Sequence, residues 1–91
     1  MHLVVTYDVT SNRRRSKLAE ALDELLGRVQ KSVFEGEIAD WKLPEIKRIV
    51  MKHIDPGRDD VRIYRLCVRC RDGVERIGVA APAQERGDEI F

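Results

Sequence analysis

Aromatic side chains are scarce in this 91-residue chain, which has one Trp, two Phe and two Tyr. Only two cysteines are present, too few for the disulfide framework of a small secreted domain. The longest apolar stretch is far short of the roughly 20 residues that span a bilayer, so we expect no transmembrane segment. Neither sign of charge dominates, because 17 basic and 16 acidic residues leave a net charge of +1. Total charge therefore does not mark a nucleic-acid-binding protein.

The composition is that of one globular domain. Hydrophobic residues make up 43% of the chain and charged residues 36%, a balance too apolar for disorder. A domain of this length buries only roughly 60 to 65% of its unfolded surface, so covering one face with a second copy is stabilising and we expect a dimer. Met1 leads directly into a β-forming segment rather than a basic leader and an apolar stretch, so we expect a cytoplasmic protein that does not bind membranes.

The first part of the chain predicts a strand followed by an amphipathic helix. Residues 2–9 alternate between two faces, and both faces carry apolar side chains. Ser11 or Asn12 suits the N-cap of the helix that follows. Its leucines recur at helical spacing up to Gly27, which suits the position just after a helix end.

The rest of the chain predicts more strands and a second helix. Residues 28–38 are rich in β-forming residues and predict two short strands or one bent strand. A helix from about Pro44 to Ile54 follows, because proline suits a first helical turn. Residues 60–66 predict the next strand, and a turn leads to a short strand at 74–79.

This order of elements, β-α-β-β-α-β, is typical of the ferredoxin-like split βαβ fold, an α+β class with both helices on one face of the sheet. The other face stays open, and Val4 on it makes that face a candidate surface for a homodimer with facing sheets. We assign residues 1–80 to the domain. Residues 81–91 belong to the same domain as a tail in which Pro82 and Gly87 disfavour a helix. We expect an additional strand that crosses to the partner protomer, with a frayed terminus as the alternative.

A cluster of cations opens the first helix, although the helix dipole disfavours each of them by about 0.3 to 1 kcal/mol. Since the same turn has unpaired backbone N–H groups, we interpret the cluster as a phosphate-binding surface. The alternative is a solvated charge run that acidic residues of the same helix partly neutralise. The candidate nucleic-acid-binding residues are Arg13, Arg14, Arg15, Lys17, Arg28 and Lys31.

Asp8 ends the first strand directly before this loop. A carboxylate beside a phosphate-attracting loop suits Mg²⁺, which takes one or two carboxylates together with phosphate and water. No other carboxylate is expected at a strand end beside the loop, so two copies of Asp8 across a twofold axis would share the metal. The alternative is that Asp8 caps the turn with Thr10 and Ser11.

Cys67 and Cys70 form one CxxC pair. Zinc needs two further ligands, and His2 and His53 lie on different elements. A redox pair needs a helix that starts directly after a strand, whereas this segment predicts a turn. We therefore expect two turn cysteines that the cytosol keeps reduced.

Five segments of the chain, by their order and spacing, indicate a protein family. They are Val5-Thr6-Tyr7-Asp8-Val9, the arginine-led helix with Leu18-Ala19, the stretch from Arg28 to Glu35, Val61-Arg62-Ile63-Tyr64, and Val74-Glu75-Arg76-Ile77-Gly78. In order and spacing they resemble the CRISPR-associated protein two family, the small universal subunit of CRISPR adaptation. The resemblance covers essentially the whole chain, and the string from Arg28 to Glu35 is its most specific part.

The resemblance implies a homodimer that bridges the CRISPR integrase subunits and binds double-stranded DNA during spacer insertion. It also implies an endonuclease that cuts single-stranded RNA or double-stranded DNA with Mg²⁺, or with Mn²⁺ in its place. The family's metal-binding aspartate matches Asp8, which would also be the catalytic residue, and Tyr7 and Phe34 match supporting positions. The family's basic positions match Arg15, Lys17 and Arg28, and Lys17 stands where arginine is often found.

Two hypotheses of different class follow. In the first, the protein is a metal-dependent endonuclease with Asp8 at its catalytic centre. In the second, it is a non-catalytic nucleic-acid-binding scaffold of the spacer-integration complex. One carboxylate per subunit is compatible with both.

Overall fold

Four strands form one antiparallel sheet in the computed structural model, which describes residues 1–78. The elements are β1 (His2–Asp8), α1 (Asn12–Asp23), β2 (Gly27–Gln30), β3 (Val33–Glu37), α2 (Leu43–His53), β4 (Asp60–Leu66) and α3 (Val68–Asp72). The strands lie in the order β2-β3-β1-β4, and each neighbouring pair is antiparallel. The predicted ferredoxin-like α+β fold, with two separate strands between the main helices, is confirmed.

The hydrophobic core lies between the sheet and helices α1 and α2. Odd-numbered residues of β1 are buried and even-numbered ones are more exposed, as the alternating sequence predicts. Val5 is paired in register with Phe34, and both side chains are fully buried. The helices complete this core with Leu18 and Leu22 of α1 and with Ile46 and Val50 of α2. Both helices therefore cover one face of the sheet, and the start of α1 lies beside the end of β1.

Helix α1 begins as the sequence predicts but ends earlier. Ser11 is its N-cap, and the hydroxyl oxygen accepts the backbone N–H of Arg14 at 3.2 Å. The helix ends at Asp23, because the N–H groups of the next leucines turn back to the carbonyl of Leu22. The prediction of Gly27 as the residue after the helix was wrong. Gly27 is instead the first residue of β2.

The second face of the sheet, opposite α1 and α2, is contacted by Arg71 of α3 and by Arg76. Val4 of β1 is in register with Glu35 of β3 and Tyr64 of β4, so the three side chains share this face. Val4 is half-buried and Tyr64 is 46% exposed. We call this surface the open face, and it is the one that the sequence marked as a candidate dimer surface.

The chain after β4 differs from the prediction. Cys67 is the N-cap of the short helix α3 rather than part of a turn. The strand predicted at residues 74–79 is wrong for residues 74–78, which form no strand; α3 follows β4 instead, and the Arg76 side chain reaches Glu35 of β3 at 3.1 Å. Residue 79 and the predicted tail strand in residues 81–91 lie outside the described residues.

Candidate nucleic-acid interface

The arginine-led start of α1 lies between two separate surface clefts. The first, the Asp8 cleft, has a volume of about 750 Å³ and lies beside the end of β1. The second, the basic cleft, has a volume of about 360 Å³ and lies between α1 and α2. The lining of the Asp8 cleft includes Asp8, Arg15, Glu20, Asp23, Arg28 and Lys31. The lining of the basic cleft is Ser11, Arg13, Arg14, Lys17, Lys52, His53 and Ile54.

Asp8 is an exposed carboxylate at the rim of its cleft. Within residues 1–78 no hydrogen bond or ion pair engages its side chain. The alternative in which Asp8 caps the turn with Thr10 and Ser11 was therefore wrong. Another carboxylate caps that turn, because the backbone N–H and the hydroxyl of Thr10 both donate to Asp59 Oδ1, at 3.1 and 3.2 Å. Asp8 is left available to a ligand.

The supporting residues hold the β2–β3 turn against the end of β1. The Tyr7 hydroxyl donates to the carbonyl of Lys31 at 3.2 Å, and Arg28 Nη2 donates to the same oxygen at 2.7 Å. The Arg28 guanidinium lies 5.5 Å from the centre of the Phe34 ring, and the rings of Tyr7 and Phe34 stack with centroids 6.2 Å apart. Burial raises the pKa of Tyr7 against the opposing effect of Arg28 and Arg15, so this phenol stays neutral and serves as a donor.

Arg15 connects α1 to the end of β1 at the other side of the Asp8 cleft. Its Nη1 donates to the Val9 carbonyl at 2.8 Å, and Nη2 contacts the side-chain oxygen of Asn12. Arg15, Arg28 and Lys31 therefore surround the end of β1 as cations. They share the cleft with three carboxylates, so the cleft offers directed contacts to a phosphate rather than a net positive field.

Asp60 is a second carboxylate beside Asp8, and the sequence analysis missed it. The two residues are register partners across β1 and β4, which places their side chains on the same face. Asp60 is also exposed, and its Oδ2 lies 3.3 Å from Arg62 Nε. The expectation that no other carboxylate lies at a strand end near the loop was therefore wrong. The signal in the sequence was an aspartate that opens the strand predicted at residues 60–66.

Asp59 connects the β1–α1 loop and the start of α1 to the loop before β4. Its carboxylate accepts Arg14 Nε at 2.9 Å and the Asp55 backbone N–H at 2.8 Å, in addition to both donors of Thr10. The hydrogen bond from Arg14 holds the pKa of Asp59 well below its usual range, although burial opposes this, and the two backbone N–H groups add to the effect. Arg14 thus has a structural partner 45 residues away.

Replacing Asp59 by Asn is expected to lower the melting temperature by about 5 °C or more near neutral pH. The folded-state pKa is depressed, so the contribution of Asp59 is complete above the unfolded pKa of about 3.9 and is lost as the pH falls towards the folded value. The difference in melting temperature between wild type and Asp59→Asn should therefore shrink below about pH 4. Thermal unfolding from pH 3 to pH 7 measures it.

Asp60→Asn is the matched control, since it removes the adjacent exposed carboxylate, which has one ion pair. It should change the melting temperature by much less than Asp59→Asn. An equal effect of the two changes, or a difference for Asp59→Asn that does not vary with pH, would contradict the role assigned to Asp59.

The basic cleft is the more positive of the two surfaces. Among the described residues that line it there is no carboxylate side chain. Within residues 1–78 no hydrogen bond or ion pair engages the side chains of Arg13 and Lys17. Lys52 and His53, from the end of α2, face them across the cleft. The sequence analysis did not include these last two residues among the nucleic-acid-binding candidates, and considered His53 only as a zinc ligand.

None of the helices formed by residues 1–78 combines the length and the apolar character needed to cross a membrane. No group of three or more His, Cys, Asp or Glu side chains in that part of the chain is placed to hold a metal ion. A cation at Asp8 and Asp60 would therefore need further ligands from phosphate, water or a second protomer.

The fold and the placement of these residues define a small α+β protein of the ferredoxin-like type. The family model that matches is that of the CRISPR associated protein Cas2, over residues 1–74. Because the match covers most of the chain, the protein belongs to this family. The resemblance inferred from the sequence motifs is confirmed.

Relatives and solved structures agree with this assignment. The CRISPR-associated endoribonuclease Cas2 1 of Chloroflexus aurantiacus is 36% identical over 92 residues, covering 97% of this chain and 96% of the relative. The CRISPR-associated endonuclease Cas2 of Halalkalibacterium halodurans is 35% identical over 96 residues, covering 100% of this chain and 99% of the relative. The crystal structure of Streptococcus pyogenes Cas2 at pH 6.5 has a TM-score of 0.75 at 31% identity, covering 86% of this chain and 100% of that one.

Proposed function

We propose that this chain is a homodimeric, nucleic-acid-binding subunit of CRISPR adaptation that hydrolyses phosphodiester bonds with Mg²⁺ or Mn²⁺ at Asp8. The observation that carries the proposal is the exposed Asp8 carboxylate, which has no partner within residues 1–78 and stands among cations at the end of a strand. The relatives named as endoribonuclease and endonuclease support the same reaction class.

The donor set fits a hard divalent cation. Asp8 and its register partner Asp60 supply carboxylate oxygens on one face, and Mg²⁺ usually takes one or two carboxylates with water and phosphate as its other ligands. When bound, such an ion supplies a Lewis acid and activates water as a nucleophile. The protein would bind it firmly only together with a phosphodiester.

The cations of the Asp8 cleft would position that phosphodiester. Lys31 extends from the β2–β3 turn, and the hydrogen bonds of Tyr7 and Arg28 to its carbonyl fix the turn. Arg15 is fixed on the opposite side by the Val9 carbonyl. A phosphate held between Arg15 and Lys31 would place its scissile bond close to Asp8, and the charge that develops on phosphate oxygens would face fixed donors.

The basic cleft would bind the backbone of the same nucleic acid further along. Arg13 and Lys17 are four residues apart on one helix, so they lie on the same side of α1 and face Lys52. Contacts of this kind to phosphates carry affinity without reading bases, which suits a subunit that accepts duplex DNA of any sequence.

The open face would form the homodimer. Val4 and Tyr64 lie on this face, Tyr64 is 46% exposed, and helices α1 and α2 pack on the opposite face. A two-layer fold is stabilised when a second copy covers such a face. Facing sheets would also bring the strand ends that carry Asp8 and Asp60 of the two protomers towards one interface.

The scaffold function remains the second candidate, and the basic cleft favours it. This cleft has cations on the surface away from Asp8, and in the scaffold function they would bind nucleic acid while the chain bridges CRISPR integrase subunits without any cleavage. Both functions require nucleic-acid binding. They differ in whether metal-dependent cleavage occurs and depends on Asp8.

The double change Arg13→Ala with Lys17→Ala is expected to weaken binding of duplex DNA by about tenfold at moderate salt. It should also reduce the slope of log K against log[salt] by about two units, one for each lost phosphate contact. These two residues suit the test because no contact within residues 1–78 holds them, whereas changing Arg14 or Arg15 would also break the contacts with Asp59 and Val9. Fluorescence anisotropy over a salt series measures both quantities.

Lys47→Ala with Arg69→Ala is the matched control, because it removes the same charge from exposed positions that line neither cleft. It should leave the salt slope within about half a unit of wild type. Equal losses in the two double variants would show that only net charge matters and would remove the basic cleft from the interface.

A further inference from the structure

Cys67 and Cys70 contact each other where β4 ends and α3 begins. The sulfur of Cys67 accepts the backbone N–H of Cys70 at 3.4 Å, and the two thiols are within hydrogen-bonding reach of each other. Both side chains are exposed to solvent. Cys67 follows β4 directly and Cys70 lies in the first turn of α3. This strand-then-helix placement is the one that a redox pair requires, and its expected absence was the reason for assigning the cysteines no chemistry.

The two thiols are not equivalent. The backbone N–H of Cys70, followed by the Cys70 thiol, lowers the pKa of Cys67. The hydrogen bond to Cys67 raises the pKa of Cys70. A thiol whose thiolate is stabilised is the attacking group in thiol–disulfide exchange, and its neighbour is the resolving group. The geometry therefore separates the two roles within one CxxC pair.

We propose that Cys67 and Cys70 form a reversible dithiol–disulfide pair that reacts with low-molecular-weight disulfides such as oxidised glutathione. This activity is independent of the proposed nuclease function, because neither cysteine lines the Asp8 cleft or the basic cleft.

The exchange balances in two steps. The Cys67 thiolate attacks one sulfur of oxidised glutathione, which forms a mixed disulfide and releases one glutathione thiolate. Cys70 then loses its proton to solvent and attacks the Cys67 sulfur, which forms the intramolecular disulfide and releases the second glutathione. The protein loses two electrons and two protons, and one oxidised glutathione becomes two reduced molecules.

Ring closure requires little movement. The bond would close a ring over the first turn of α3 alone, where the N–H to sulfur contact already brings residue 70 to residue 67. The ion pair of Arg71 with Glu37, at 2.9 Å, holds the same helix against β3 and is not involved in the bond. The sheet and both clefts therefore keep their structure in the oxidised form.

The test uses the full chain, reduced and then equilibrated with glutathione buffers of increasing oxidised fraction, quenched with acid and alkylated. Intact-mass analysis should show a species lighter by about 2 Da that has lost both alkylation sites and regains them in reduced glutathione. Since the whole chain has two cysteines, no other thiol in the same molecule competes. A protein that retains both alkylation sites in every buffer would overturn the proposal, as would disulfide-linked dimers in place of the lighter monomer.

Single variants test the separate roles. Cys70→Ser should accumulate a stable mixed disulfide at Cys67, and Cys67→Ser should form its adduct about threefold more slowly or slower still. The lower pKa of Cys67 gives it the larger thiolate fraction near neutral pH, and the weaker nucleophilicity of that thiolate offsets part of the gain in rate. Cys67→Ser with Cys70→Ser is the matched control and should show no mass change. Equal adduct rates in the two single variants would overturn the assignment of Cys67 as the attacking thiol.

Discussion

Asp8→Asn is expected to reduce metal-dependent cleavage of nucleic acid by about a thousandfold while the fold and duplex binding are retained. The change removes the negative charge of the carboxylate that would hold the cation. A cation of this kind contributes several kcal/mol as a Lewis acid, and about 1.4 kcal/mol corresponds to tenfold in rate. Folding should be unaffected because Asp8 is exposed and no hydrogen bond or ion pair engages its side chain within residues 1–78. Single-turnover cleavage of labelled RNA and DNA over a Mg²⁺ and Mn²⁺ titration measures the loss.

Glu20→Gln is the matched control for this change, because Glu20 is another exposed carboxylate in the lining of the Asp8 cleft. It should keep activity within a few-fold of wild type. If Asp8→Asn cleaves as fast as wild type, the catalytic role is wrong and the scaffold function is favoured. Equal activity of all preparations without added metal would indicate a contaminating nuclease. Spacer acquisition in cells by the Asp8→Asn protein separates the two functions further.

The change Tyr64→Glu should weaken the homodimer by about a hundredfold or more. Tyr64 is 46% exposed on the open face and is in register with Val4, so an interface there would bury the new carboxylate without a partner. The variant chain should still fold, since this side chain is outside the core. Sedimentation equilibrium of the full chain measures the change in dissociation constant.

Met51→Glu is the matched control, because Met51 is 60% exposed on α2, on the opposite side of the sheet. It should leave the dimer intact. A dimeric Tyr64→Glu protein would exclude the open face as the interface, and a monomeric wild type would exclude the dimer itself. A chain ending at Ala80 tests the predicted tail separately, since an unchanged dimer would exclude strand exchange by residues 81–91 alone.

Local sequence signals predicted most of the fold. The alternation along β1 placed its odd-numbered residues in the core, and Ser11 became the N-cap of α1. The end of α1 was misplaced because a glycine after a leucine repeat suits a helix end as well as a strand start. The chain had already turned at Leu22, and β2 had to begin at Gly27 to pair with β3.

The arginine cluster shows a different limit of local signals. Consecutive residues of a helix point about 100° apart, so neighbours in sequence are distributed around the helix. Arg13 and Lys17 face α2, whereas Arg15 faces the end of β1. A run of basic residues predicts a cationic surface. It cannot predict that the cations are divided between two clefts, because the positions of α2 and of the β2–β3 turn determine which cleft each cation lines.

The sequence by itself determined the order of the elements from β1 to β4, the family, the position of a carboxylate at the end of β1 and the presence of cations beside it. Only the tertiary structure decided which aspartate does what. Asp59 and Asp60 are adjacent, yet Asp59 reaches back to Arg14 and Thr10 while Asp60 is in register with Asp8. Strand pairing and loop packing between segments far apart in the chain set these contacts. A local sequence pattern cannot predict these contacts, because their stabilising energy arises only when the distant segments come together in the folded chain.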